Sequence, residues 1–278
     1  MKTNPCAAII GAGRTRFTER WEEDPKAMIG MAGMKAFESV DKGIKRNEIE
    51  AGFFGSFLYQ VTNKIGLVPG YMSRELGLNV PMINTEAACA SGGLALHNAC
   101  LGIESGRYNA ILVAGFEKMS DRQDKIIDDL MFAADPYEFE AGYNFPGLYA
   151  TMMTRYMYEF GNNDSRCSEA LAQISAKNHH HCIKNKYAQF KDKGEISVED
   201  VLNSRMIANP IRILHSSPIS DGAVALIITK PEIAKKYTDT PIYIMSSQET
   251  TDHVSLYTRN KITSVMSTRL AVDQALKE

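Results

Sequence analysis

A chain of 278 residues, 44% hydrophobic and 23% charged, has the composition of a globular protein with room for one large or two ordinary domains. Its net charge of −2 excludes attraction to nucleic acid or to an anionic membrane surface as the basis of its function. No apolar stretch approaches the ~20 residues of a membrane span, and the start, MKTNPCAAIIGAG, is broken by glycine too early for a signal peptide. Five cysteines, at 6, 89, 100, 167 and 182, form no CxxC pair and no even framework, as expected of reduced thiols in a cytoplasmic protein.

Residues 6–11 (CAAIIG) read as a buried first strand that ends in a glycine turn within GAGRTRF. A GxG after a strand raises a dinucleotide site, but Arg16 stands where the third glycine of that fingerprint belongs, which disfavours it. Between 24 and 40, Met28, Met31, Ala32, Ala36 and Val40 have helical spacing, Pro25 suits a first turn, and Lys35 borders the apolar face. Residues 51–59 (AGFFGSFLY) predict a strand and 66–76 a short helix.

The chain is organised around residues 81–115 (PMINTEAACASGGLALHNACLGIESGRYNAILVAG). A strand over 81–85 enters a cluster of small residues around Cys89, a helix follows from about 91 to 105, and a strand over 110–114 leaves. Alternation of strands and helices up to this point predicts an α/β layered domain. Cys89 falls at a strand-to-helix turn, where unpaired N–H groups and the helix dipole favour a thiolate, so it is the candidate nucleophile. The competing reading is a buried cysteine acting as a small hydrophobe.

Residues 119–204 change character and predict a helical insertion or lid. Tyr149, Met152, Met153, Tyr156 and Met157 fit packing, whereas the turn 142–147 (GYNFPG) presents aromatics that can line a pocket. His179, His180 and His181 would point ~100° apart on a helix and so cannot share one face, and no metal site is expected. Residues 211–229 (IRILHSSPISDGAVALIIT) read as a strand, a tight turn at Pro218 and Asp221-Gly222, and a strand covered on both faces. A short helix over 230–237, a strand over 241–246 and a helix over 267–277 follow, and these last two leave apolar surface to be covered.

NTEAACASGGLAL with ILVAGFEKM resembles the nucleophile segment of thiolases, and SSPISDGAVALIIT resembles the turn before the last strand of their N-terminal half. NFPGLYATMMTRYMYEFG and AQISAKNHHHCIKNKYAQF resemble the lid of the sterol-carrier-protein-type and archaeal acetyl-CoA acetyltransferase branch. The resemblance implies an α/β fold: a thiolase-like layered α-β-α N-terminal domain (1–118 and 205–237), a helical lid insertion (119–204) and an incomplete C-terminal domain starting at 238–278. It implies that Cys89 attacks an acyl-CoA to form an acyl-enzyme, which a second acyl-CoA consumes in a Claisen condensation, with the Cys89 N–H as a candidate oxyanion donor and CoA thioesters as substrates rather than cofactors. Phe145, Pro146 and Gly147 would lie near the pantetheine path. A homodimer is implied, with Leu112 and its neighbours as an apolar edge for it.

The family's histidine in an HD or NE motif, its second cysteine or histidine and its glycine-rich oxyanion turn have no counterpart here. His97 lies about 12 Å along the helix from Cys89, and His215 and His253 are read as structural. The resemblance therefore implies a chain that is inactive alone or works with a complementing C-terminal chain. A non-catalytic acyl-CoA-binding or assembly subunit is the alternative, and a carbon–carbon lyase with a partner protein is a third reading.

Overall fold

The computed structural model describes residues 4–161 and 165–278. Its strands are β1 (Ala7–Arg14), β2 (Ala51–Gly55), β3 (Met82–Thr85), β4 (Ala110–Glu117), β5 (Met206–Ala208), β6 (Ile211–Arg212), β7 (Gly222–Thr229) and β8 (Ile242–Ile244). Six of them form one sheet in the order β3-β2-β4-β7-β1-β8, while β5 and β6 pair separately. β2 runs parallel to β3 and β4, and β7 runs antiparallel to both β4 and β1. The C-terminal ends of β2, β3 and β4 therefore gather along one margin of the sheet.

Alternating side chains along these strands feed two cores. Ile10, Leu112, Phe116, Ala225 and Ile227 face Met28, Ile29 and Ala32 of α1 (Pro25–Glu38). A four-residue α2 (Tyr59–Thr62) and then α3 (Val68–Leu76) add Tyr59, Met72 and Leu76 to the same core. Ala7, Phe53, Ile111, Val113 and Ile228 face the opposite way, against Ala95, Ala99, Cys100 and Ile103 of α4 (Ser91–Glu104). A large apolar side chain contributes about 1.5–3 kcal/mol when fully buried, so these two faces carry the fold.

The insertion after β4 holds α5 (Ile126–Leu130), α6 (Pro136–Glu140), α7 (Phe145–Phe160), α8 (Ser165–Cys182) and α9 (Val198–Asn203). α7 and α8 bury only Leu148 and Ala150, and Ala172 and Ser175, respectively. Tyr149, Tyr156, Tyr158 and Phe160 are exposed, so the expectation that the aromatic run serves packing holds only in part. Asp135 and Glu138 tie this region to the C-terminal segment, accepting from the Ser255 hydroxyl (2.5 Å) and the Leu256 N–H (2.6 Å).

Three expectations are corrected. No glycine turn ends β1, which continues through Gly11 and Gly13 to Arg14. A Cβ on Gly13 would lie 2.1 Å from the Ala32 carbonyl oxygen, so this glycine lets α1 rest directly on the strand. Leu112 forms no edge: β4 lies between β2 and β7, and Leu112 is 0% exposed. The free edges belong to β3 and β8.

Asp221-Gly222 is not a tight hairpin turn either. Asp221 is fully buried, and its carboxylate accepts from the N–H groups of Arg20, Met119 and Ser120, the Ser120 hydroxyl and the Lys118 ammonium at 3.0 Å. The strand expected over 241–246 is present as β8 at one edge of the sheet. β8 pairs antiparallel with β1, and α10 (Met266–Ala275) buries none of its residues, leaving Met266, Leu270 and Val272 exposed.

Burial pushes the Asp221 carboxyl upward, but the Ser120, Arg20 and Lys118 donors outweigh it and hold it below the ordinary carboxylate value. Its stabilising contribution is thus complete above about pH 4, the unfolded value, and is lost as pH falls through the lower folded value. D221N leaves Lys118 with Asp121 as its one remaining carboxylate partner, at 2.8 Å, and removes the charged acceptor of the Arg20, Met119 and Ser120 donors, so it is expected to cost about 2–4 kcal/mol in urea unfolding, with a flattened acid limb. G13A, whose Cβ meets backbone atoms, is expected to cost about 1–3 kcal/mol in the same experiment.

Candidate active site

β3 delivers the chain to the C-terminal margin of the sheet, and a single 3₁₀ turn (Ala88–Ala90) joins it to α4. Cys89 occupies the middle of that turn and is exposed, which removes the reading of it as a buried hydrophobe. That part is taken by Cys6 and Cys100, 8% and 1% exposed.

The turn is held by side chains the sequence reading did not single out. Ser91, 3% exposed, accepts from the Ala87 N–H (2.9 Å) and donates to the Ala88 carbonyl (2.7 Å), so one hydroxyl closes the loop around Cys89. Glu86 accepts from the Ala88 N–H at 2.6 Å. Ala88 itself has φ of +47°, a left-handed conformation that costs a non-glycine residue about 1–3 kcal/mol and that these bonds hold in place.

α4 is seated against β2 at Gly55. A Cβ there would lie 2.4 Å from the Ser91 carbonyl oxygen and 2.7 Å from the Gly92 nitrogen. Thr85 completes the seat by donating to the carbonyls of Phe54 (2.9 Å) and Ser91 (3.3 Å). On the neighbouring strand, Glu117 accepts from the Ser56 hydroxyl (3.1 Å) and from the N–H groups of Phe57 (2.9 Å) and Leu58 (3.1 Å). Burial pushes its carboxyl upward, against the opposing pull of those donors. A carboxylate at the end of an apolar strand, GFEKM, was the signal available for Glu117. A serine and a threonine bracketing the cysteine were the signal for the turn.

The other expected site residues belong to the insertion. Phe145, Pro146 and Gly147 form the first turn of α7, capped by Asn144, which accepts from the Gly147 N–H at 3.0 Å. Gly147 lines a cavity of about 670 Å³ with Thr151, Thr154, Arg155, Tyr158 and Asn209. Cys89 does not line that cavity, and among the described residues no hydrogen bond joins it to Phe145, Pro146 or Gly147. The imidazoles are each engaged: His97 with Ser247 (3.2 Å), His215 accepting from the Arg212 N–H (3.0 Å), His253 with Thr258 (3.3 Å). His179 stacks on Phe190, while His180 binds Glu195 at 2.7 Å and meets the His181 ring edge to face.

Comparison with known proteins agrees with this arrangement. The thiolase N-terminal domain model matches residues 7–232. The acetyl-CoA acetyltransferases of Methanothermobacter thermautotrophicus and Methanocaldococcus jannaschii are 37% and 40% identical, each over 97% of this chain and over 69% and 68% of their own length. Among solved structures, the Ltp2-ChsH2(DUF35) aldolase superposes with a TM-score of 0.79 at 21% identity, covering 98% of this chain and 69% of its own. A monomeric SCP2-thiolase-like protein of Mycobacterium smegmatis gives 0.75 at 19% identity, covering all of this chain and 57% of its own, and these two likenesses speak for the fold. With that layered sheet, and a family domain matched over most of its length, the chain belongs to the thiolase family.

Proposed function

We propose that the chain carries out thiolase-type acyl transfer on acyl-CoA, of the acetyl-CoA C-acetyltransferase kind, with Cys89 as the nucleophile. The observation that carries this reading is the exposed Cys89 in a braced, strained turn at the head of a 14-residue helix. The Cys89 thiol gives up its proton as its sulfur attacks the thioester carbonyl, a new carbon–sulfur bond forms, the bond to CoA breaks and the departing thiolate takes up that proton. The backbone N–H of Cys89 is the assigned donor to the transient oxyanion, as expected where a helix begins.

Carbon–carbon bond formation then needs a base to remove the proton beside the second carbonyl. The reading assigns that base to a complementing segment, since among the described residues no hydrogen bond joins Cys89 to His97, His215 or His253, whose Nδ1 atoms meet Ser247, Arg212 and Thr258. Phe145, Pro146 and Gly147 are assigned to the pantetheine path on the strength of the cavity that Gly147 lines. A homodimer belongs to the same reading, with the β3 edge, where Ile83 is 50% exposed, in the place Leu112 cannot fill. Five free thiols support a cytoplasmic setting; no helix among the described residues is long and apolar enough to cross a membrane.

Iodoacetamide is expected to label Cys89 fastest and acetyl-CoA to protect it, with a single acetyl group added to Cys89 by mass spectrometry and none in C89A. Uniform labelling of all five cysteines, or acetyl-CoA without effect on Cys89, defeats the reading. Thiolysis of acetoacetyl-CoA, with a complementing segment supplied, is expected to fall at least ~1,000-fold in C89A. Thiolysis that is absent under every condition, with acyl-CoA still bound, would favour the non-catalytic acyl-CoA-binding subunit instead.

A further inference from the structure

We propose that Glu117 is a positioning residue for Cys89: it clamps the segment after β2 onto the end of β4 and so fixes the seat on which the first turn of α4 rests. The inference rests on Cys89 being the reactive group, and it concerns a residue that never touches the sulfur.

The β2–β4 ladder ends at the pair Gly55–Gly115. Beyond it the two chains diverge, and backbone pairing no longer holds residues 56–58 to β4. Glu117 takes over: one carboxylate oxygen accepts from both the Phe57 and Leu58 N–H groups, and the other accepts from the Ser56 hydroxyl. Behind it, the rings of Tyr59 and Phe116 meet edge to face with centroids 4.9 Å apart, holding the next residue of the segment without reaching Ser56 or Gly55.

Gly55 is the residue against which α4 stops. The missing side chain leaves room for the Ser91 carbonyl and the Gly92 nitrogen and for nothing more. Ser91 in turn closes the loop around Cys89 through the Ala87 N–H and the Ala88 carbonyl. A displacement of residues 55–58 is therefore transmitted through Ser91 to a nucleophile two positions earlier. A misplacement of about 1 Å at a reacting group can cost about 100-fold in rate, so a clamp one layer away from the thiol governs its reactivity.

The test compares the rate of Cys89 acetylation by acetyl-CoA, followed by mass spectrometry, in the full chain and in E117L and E117Q. E117L is expected to react about 10- to 100-fold more slowly while Cys6 and Cys100 stay inaccessible to iodoacetamide, a pattern that general unfolding would not give. E117Q, whose amide oxygen can still accept both N–H groups, is expected to recover the rate to within about threefold. E117L at the unaltered rate, or E117Q as slow as E117L, overturns the proposal.

Should E117L expose Cys6 and Cys100, S56A decides, since it removes one of the three bonds and leaves the carboxylate in place. A rate lowered by about 3- to 10-fold supports the clamp, and an unchanged rate overturns it. If the parent chain is not acetylated at Cys89 at all, the acyl-transfer reading fails. The clamp is then judged from the iodoacetamide rate at Cys89 in the same variants, by the same criteria.

Discussion

Where α4 meets β2, one strand position has no side chain, and that gap sets the geometry of the site. Filling the gap at Gly55 would drive a Cβ into the Ser91 carbonyl, so the helix would lift away from the sheet or the strand would bend. Because the helix is seated this closely, its first turn and the 3₁₀ turn before it have little freedom, and a strained residue such as Ala88 can be held at φ +47°. Hydrogen bonds from Thr85 and Ser91 then do locally what the close contact does globally. The exposed thiol is a product of this restraint rather than of any one neighbour.

A second constraint operates at the other side of β4. Lys118 and Asp221 are both almost fully excluded from water, 1% and 0% exposed, and each is compensated there by the other, with Asp121 as a second partner of Lys118 at 2.8 Å. Asp221 also gathers backbone donors from residues 20, 119 and 120, so the entrance to β7, the exit from β4 and the loop after β1 are fixed to a single carboxylate. The insertion departs from this point. A polar knot at the base and an apolar sheet beneath it give the helical region a firm root, although much of its aromatic surface faces solvent.

Glu117, the last residue of β4, and Lys118, the first beyond it, stand side by side in the sequence and serve different neighbours. Glu117 reaches the segment after β2 and thereby the thiol, while Lys118 reaches Asp221 and the root of the insertion. The last position of one strand and its exit thus connect the seat of Cys89 with the helical region.

Periodicity and turn chemistry in the sequence by themselves determined the layered α/β plan, the helix Pro25–Glu38 with Asp24 before its proline, the doubly covered strand Gly222–Thr229 and the position of Cys89 between strand and helix. These features are local: spacing, caps and apolar runs act within a dozen residues, and family motifs reinforce them. What depended on distant partners was decided only by tertiary structure. Gly11 and Gly13 read as a turn until a helix more than fifteen residues later is found resting on them, and Asp221-Gly222 reads as a hairpin until Lys118 is found 3.0 Å away. Leu112 looked like an edge because strand order is invisible in a chain read from end to end. The seat of Cys89, made from Gly55, Thr85, Ser91 and Glu117, joins three strands and a helix, and only their packing brings those residues together.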